Sequence, residues 1–312
     1  MKFKLDTEIP GFDCKIEYGK PLIFLGSCFS DEISKKFKYA GFDTLSNTFG
    51  TIFHPIALAQ NIQKSLNDSI DFPVFEINDS FFSWDCSTTV SANSKEELEI
   101  LLIEKQKTLK DYILNASHIF ITLGSSFGYR LVSNNNLVAN CHKQKQNFFQ
   151  KELTTVEEME KLWVETLDLI YEVNPKINIV FTVSPVRHSK DGLVENNRSK
   201  ARLFELISLL ELKFPVSYFP SYEIVLDELR DYRFFKEDMI HPNQLAIDFI
   251  WEKIEGSFFD SETQKVIAKV FELRKLSEHI VQTNNLSERQ KFEENRQSKI
   301  QDFIEKNSVI HW

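Results

Sequence analysis

The chain has 312 residues, 42% of them hydrophobic and 27% charged, with a formal net charge of −9 and a pI near 5.4. This composition supports a buried core and excludes a disordered, low-hydrophobicity chain, and its acidity excludes non-specific nucleic-acid binding, which draws affinity from Lys and Arg on phosphates. Charges interrupt Met1-Lys2-Phe3-Lys4-Leu5-Asp6-Thr7-Glu8 before an apolar leader could form, and no apolar run reaches the ~20 residues of a membrane span, so a cytoplasmic protein is expected.

Pro21-Leu22-Ile23-Phe24-Leu25 reads as a strand that stops at Gly26. Ser30-Asp31-Glu32 then offers an N-cap and an acidic first turn for a helix with Ile33 and Phe37 on one face, ended by Gly41. Phe42 to Leu45 reads as a second strand, and Pro55 opens a helix through Leu66. Residues 73–90 alternate around Asn78-Asp79 like an inserted hairpin, a lid or flap. Ser94 starts a helix to about Asn115, and the strand His118–Leu123 stops at Gly124. A second hairpin turns near Asn134-Asn135-Asn136, followed by a helix near Thr155–Val173 and a strand at Ile177–Val183. A helix around Ser199–Phe214, a short strand at Val216–Phe219 and a helix over Gln244–Ile254 complete the alternation.

Repeated β-α units predict a three-layer, doubly wound, mainly parallel α/β sheet with hairpin insertions. The principal domain is expected over 1–256. From 257 to 312 the chain is charged, yet Val266, Val270, Leu273 and Ile280 make a helical stripe, so this extension is expected to pack as helices on the core or on a second copy in a homo-oligomer. The 28 Phe residues are read as core and interface packing.

Ligands of an open α/β sheet bind at the carboxyl ends of the strands, which is where Gly26-Ser27-Cys28-Phe29 lies. A helix start there would favour a Cys28 thiolate. Asp238 and His241, three residues apart, suit a carboxylate that orients an imidazole acting as base and then acid. Cys14, Cys28, Cys86 and Cys141 are widely spaced, which disfavours a disulfide scaffold or a zinc site. Adjacent Cys141 and His142 on an extended segment point to opposite faces and rarely share an ion. No metal or cofactor is expected.

Together the two signals resemble the SGNH/GDSL hydrolase superfamily, and within it the GSCFA family. Its naming motif stands here as Gly26-Ser27-Cys28-Phe29-Ser30, with Ser30 in place of the final Ala. Asn47-Thr48-Phe49-Gly50-Thr51, Asn140-Cys141-His142-Lys143, Ser184-Pro185-Val186-Arg187-His188, Asn197-Arg198-Ser199-Lys200 and Asp227–Phe234 look like further family segments, over roughly residues 20–255. The resemblance implies a nucleophile in the first turn: Cys28 if the glycines align, Ser27 if the register shifts by one. It implies an oxyanion hole from the amides of Cys28 and Gly50. The third donor, commonly an Asn, is replaced by Ser126 in Gly124-Ser125-Ser126, with Asn140 as a substitute.

His142, Lys143, Arg187, His188 and Lys200 are candidates for holding a substrate, the cations by charge-assisted hydrogen bonds. The expected function is hydrolysis or transfer of an acyl group on a small-molecule or carbohydrate ester. The rivals are a ligand-binding protein that retains the fold without turnover, and a thiol redox protein using Cys28 and Cys141.

Overall fold

The computed structural model describes residues 4–9, 11–279 and 285–312, so Met1, Lys2 and Phe3 of the N-terminal segment and Ile280 of the expected stripe lie outside the described residues. Five parallel strands form the central sheet in the order β2-β1-β6-β10-β11: β1 (Leu22–Gly26), β2 (Thr44–Ser46), β6 (His118–Leu123), β10 (Asn178–Val183) and β11 (Val216–Tyr218). Helices α1 (Cys28–Tyr39), α2 (Pro55–Leu66), α3 (Lys95–Asn115), α4 (Val156–Val173) and α5 (Leu193–Glu211) supply the crossovers. After β11, a short α6 (Ser221–Glu223) runs into a π-helical turn, Ile224–Glu228, ahead of α7 (Gln244–Phe258).

The sheet is covered on both faces because its central strands carry apolar side chains on both, and alternation divides those side chains between two cores. Ile23, Leu25, Ile119, Ile121, Ile179 and Phe181 pack with α2, α3, α4 and α5. Leu22, Phe24, Phe120 and Val180 pack on the other face with α1 and α7. Phe37 of α1 centres this second core, touching Phe24, Phe42, Phe120, Trp251 and Phe259 at ring separations of 5.0–5.8 Å.

Two small antiparallel sheets interrupt the alternation. The first joins β3 (Val74–Ile77), β4 (Ser80–Ser83) and β5 (Ser91–Ala92), and the second joins β7 (Phe127–Leu131), β8 (Leu137–Val138) and β9 (Phe149–Leu153). Asn78 and Asp79 both take positive φ, 48° and 60°, the backbone of a two-residue turn whose twist matches its strands.

The last two helices, α8 (Ser261–Glu278) and α9 (Leu286–Lys306), follow α7, and residue 256 falls inside α7. The buried stripe of α8 is Ile267, Val270 and Leu273, one position off the expected Val266, and Ile267 joins the core that holds Phe37. No helix among the described residues is long and apolar enough to cross a membrane.

Two helix starts differ from the sequence reading. α1 begins at Cys28, with Ser27 as its cap, because the Ser30 hydroxyl is buried and donates to Leu25 O and Thr122 Oγ1. α5 begins at Leu193, after Gly192 at φ 83°; Leu193 and Val194 are exposed, so no apolar periodicity marks that turn.

Gly26 sets the geometry between β1 and α1. Its φ is 125°, and a Cβ there would stand 2.0 Å from the carbonyl oxygen of Thr122 on the paired strand. Gly26→Ala is therefore expected to cost about 3 kcal/mol or more of stability, since both backbone strain and a backbone clash must be relieved. Gly256 in α7 has nothing within 4 Å of the same position, so Gly256→Ala should instead add about 0.5 kcal/mol. Urea denaturation midpoints of the two variants would check this contrast.

Candidate active site

The turn after β1 is tied on three sides. Ser27 N donates to Thr122 O at 3.1 Å, Gly26 N donates to Asn47 Oδ1 at 2.8 Å, and Asn47 Nδ2 reaches Ser27 O at 3.4 Å. Asn47 does this from a left-handed conformation, φ 39°, which asparagine tolerates better than most residues. Ser27 is 1% exposed and its Oγ accepts from Phe29 N, so its hydroxyl caps the helix. Cys28, the first helical residue, is half-buried, and its N–H stands outside the intrahelical ladder.

A helix start was expected to favour the Cys28 thiolate. Burial instead raises its pKa above the ordinary 9.0, reinforced by the carboxylates of Asp31 and Glu32, while its own backbone N–H and Lys236 act the other way. One turn of helix dipole does not offset that desolvation. Asp31 is held by the hydroxyls of Ser46 and Thr51.

Lys236, which sequence reasoning passed over, belongs to the loop that carries the Asp-His pair. Its backbone N–H donates to His241 O at 2.7 Å, a bridge joins Phe235 to Pro242, and its Nζ lies 4.0 Å from Glu32 on α1. This clasp therefore closes over the start of the Cys28 helix. Lysine in a loop is common, and nothing in the local pattern singles this one out.

Within the clasp, Asp238 Oδ1 accepts from the N–H groups of Ile240 and His241 at 2.9 Å each, and Oδ2 meets His241 Nδ1 at 2.6 Å. These bonds, the His241 backbone N–H first, hold the Asp238 carboxyl down to about 2. An ionised carboxylate only accepts, so Nδ1 carries the proton and Nε2 of the neutral ring is an acceptor. Met239 takes φ 59° between them, and Asn243 Nδ2 bonds Arg233 O and Phe235 O, fixing the clasp to the start of α7.

A buried cation from α5 reaches the ends of β6 and β10. Lys200, on α5, is 2% exposed, and its Nζ donates to Gly124 O at 2.6 Å and Ser184 O at 2.7 Å, stitching the carboxyl ends of β6 and β10. Desolvation, aided by Arg187, lowers its pKa to about 7, while Cys28 draws it up. Lys200, expected to hold substrate, thus ties two strand ends together. His188 lies edge-on to Phe53, 5.0 Å between centroids, and burial, with Lys200 and His241 adding to it, lowers its pKa to about 4. Arg187 donates to Asn197 Oδ1. Mutual electrostatic influence thus links Cys28, Lys200, Arg187, His188 and His241.

Two of the expected donors are already occupied and the third is free to donate. Gly50 N, expected in the oxyanion hole, donates to Asn47 O at 2.7 Å within its own turn. Ser126 is fully buried, with its hydroxyl donating to Ser199 O and its N–H to Ser199 Oγ. Asn140 Oδ1 accepts from His142 N and Thr88 Oγ1, which leaves its amide nitrogen as the group able to donate.

The His142 ring, expected at the substrate, lies among Phe75, Phe82 and Trp84, and its Nε2 meets Ser83 O at 3.0 Å, so it joins the two insertions. Lys143 is exposed at φ 57° in the adjoining turn. The four cysteines are free thiols, and burial raises Cys141 to about 11. Among the described residues no three His, Cys, Asp or Glu side chains converge on a metal position.

The GSCFA family model matches residues 21–254. No curated protein sequence matches the chain. Among solved structures, an acetyl xylan esterase from the rumen bacterium Butyrivibrio proteoclasticus aligns at 12% identity with a TM-score of 0.40, over 77% of this chain and 65% of that one. The chain thus spans just under two thirds of that enzyme's length.

Two measurements follow from the electrostatics. Alkylation of Cys28 by iodoacetamide, read by peptide mass, should be slow at neutral pH and rise past pH 9, because burial raises the thiol. Asp31→Asn should speed it about threefold at fixed pH and Lys236→Ala slow it by a similar factor, each by removing one nearby charge. Lys200→Met should cost about 2 kcal/mol by leaving two buried carbonyls without a donor. Between about pH 7 and 10.5 the unfolded chain keeps the Lys200 proton and the folded chain releases it. Wild-type stability relative to Lys200→Met should therefore rise with pH across that window, by at most about 1.4 kcal/mol per pH unit.

Proposed function

The chain belongs to the GSCFA family, and we propose that it is a hydrolase or acyltransferase acting on esters, with Cys28 as nucleophile and the Asp238–His241 pair as its proton relay. The observation that carries this reading is the 2.6 Å bond from His241 Nδ1 to Asp238, in a clasp that also sets Lys236 within electrostatic reach of Cys28. That bond leaves Nε2 as the free base of the ring.

In the proposed reaction Cys28 Sγ bonds to the acyl carbon while its proton passes to His241 Nε2, and the carbonyl π electrons move onto oxygen. The tetrahedral intermediate collapses by breaking the ester C–O bond, and His241 returns the proton to the departing alkoxide. A water or a second hydroxyl then attacks the thioester, losing its proton to His241, and the thiol is restored by that proton. The Cys28 N–H is the donor best placed for the oxyanion.

Ser27 is the weaker candidate because its hydroxyl is buried and accepts from Phe29 N. The substrate class proposed is a small-molecule or carbohydrate acyl ester, with Arg187 and Lys143 as cations able to meet an anionic group. A non-catalytic ligand-binding role is the second reading, and the occupied donors of Gly50 and Ser126 favour it.

Incubation with p-nitrophenyl acetate and butyrate, followed by release of nitrophenolate and by intact mass, tests the assignment. His241→Ala should lower turnover by roughly 10²–10⁴-fold, and Cys28→Ala should abolish both turnover and the acyl adduct. An adduct that survives in Cys28→Ala and disappears in Ser27→Ala would move the nucleophile by one residue. Neither turnover nor adduct in wild type would favour the ligand-binding reading.

A further inference from the structure

A second concave surface lies on the flank of α2, between the open end of the β3–β4 hairpin and the β7–β8 turn, and none of Cys28, Lys200, Asp238 or His241 lines it. It has two lobes, of about 560 and 480 Å³, that meet at Pro73, Trp84, Leu131 and Asn134. Each lobe has the size of a small-molecule site, ~300–1,000 Å³.

Trp84 is shared by both lobes and is held rigidly. Phe75 stacks on it at 3.7 Å with the rings 12° apart, and Phe149 and His142 abut it edge-on. Phe75 thus backs one face of the indole. Its indole N–H is neither buried nor bonded to any described residue. Around it stand carboxamides: Gln60 and Asn67 on α2 and its cap, Asn136 at the β7–β8 turn and Asn147 before β9. No described residue hydrogen-bonds to these four side-chain amides, each of which offers two donors and an acceptor.

The lining cation, Lys64, is neutralised by Asp85 at 2.5 Å, so the groove holds no net positive charge for a phosphate or carboxylate. Its polar walls also disfavour an acyl chain, which would strip water from the amides without replacing their hydrogen bonds. A ligand with an apolar face for the indole and neutral hydroxyls around its edge satisfies both surfaces at once. We propose that this groove is a binding site for a neutral oligosaccharide, with Trp84 as the stacking platform and Gln60, Asn67, Asn136 and Asn147 as its hydroxyl partners. It stands apart from the Cys28 reading and requires no turnover.

The test is calorimetric titration, with tryptophan fluorescence in parallel, of the full chain with cellohexaose, maltohexaose and mannohexaose, and with hexagalacturonate as the anionic counterpart. At least one neutral hexasaccharide should bind in the millimolar range or tighter, and Gln60→Ala with Asn147→Ala should weaken it about fivefold or more, in line with lost hydrogen bonds. Neither side chain belongs to the buried core, so circular dichroism of the double variant should match wild type, whereas Trp84→Phe tests the platform itself. Cys28→Ala should bind as wild type does, which keeps this result distinct from any failure of the catalytic reading. Lack of binding by all three neutral sugars, equal binding in the double variant, or preference for hexagalacturonate would each overturn the proposal.

Discussion

The steric contact between Gly26 and Thr122 governs the height at which everything else in the site is built. Parallel pairing sets Gly26 opposite Thr122, and the Thr122 carbonyl, which would clash with any Cβ at 26, accepts the N–H of Ser27. The chain must therefore leave the sheet at once, and Ser27 caps a helix whose first residue is Cys28. The Ser30 hydroxyl, bonded to Leu25 O and Thr122 Oγ1, returns the helix to the same strand pair. A single backbone oxygen thus ends the strand, orients the turn and fixes where the thiol begins.

The remaining parts are attached to this turn by polar ties, which are directional where apolar packing is not. Asn47 brings the loop after β2 onto Gly26 and Ser27, Phe53 O receives the N–H groups of Gly124 and Ser125, and Lys200 joins Gly124 to Ser184. Three strand-end loops are thereby held in mutual register by a handful of bonds. Occupied donors follow from the same design: Gly50 and Ser126 are drawn into loop structure, so the polar groups that fix the scaffold differ from those left facing outward.

Much of the fold was legible because local signals and the global fold agree. Pro55 opens α2 and Leu66 closes it as read, Ser94 and Thr155 cap their helices through the expected oxygen-to-amide bonds, and Asn78-Asp79 turns its hairpin. The reading failed where a polar side chain had a tertiary partner. Ser30 resembled a cap because its bond to Thr122 is 92 residues distant, and Ser199 resembled a helix start because its bonds to Ser126 lie 73 residues away. Within the site, Asp238 and His241 were legible as neighbours in sequence. Lys200 was legible as a candidate for holding substrate and its burial was not, because a charged side chain is rarely buried and the two carbonyls that receive it come from different strands. Lys236 escaped notice because its proximity to Cys28 exists only once the clasp closes over α1.

The electrostatic environment constrains which thiol mechanism the proposed site could run. A preformed thiolate–imidazolium pair needs a depressed thiol pKa, and here burial and two carboxylates push Cys28 upward. The nucleophile must then lose its proton as the new bond forms, which makes the base as important as the sulfur. A base in that role has to remain neutral until the proton arrives and be stabilised once charged. Asp238, ionised above pH about 2 and bound to Nδ1, fulfils the second need and, by holding the tautomer, leaves Nε2 ready for the first. A thiol that is protonated at rest needs an oriented base beside it, and the raised thiol pKa is a reason for the clasp rather than an argument against it.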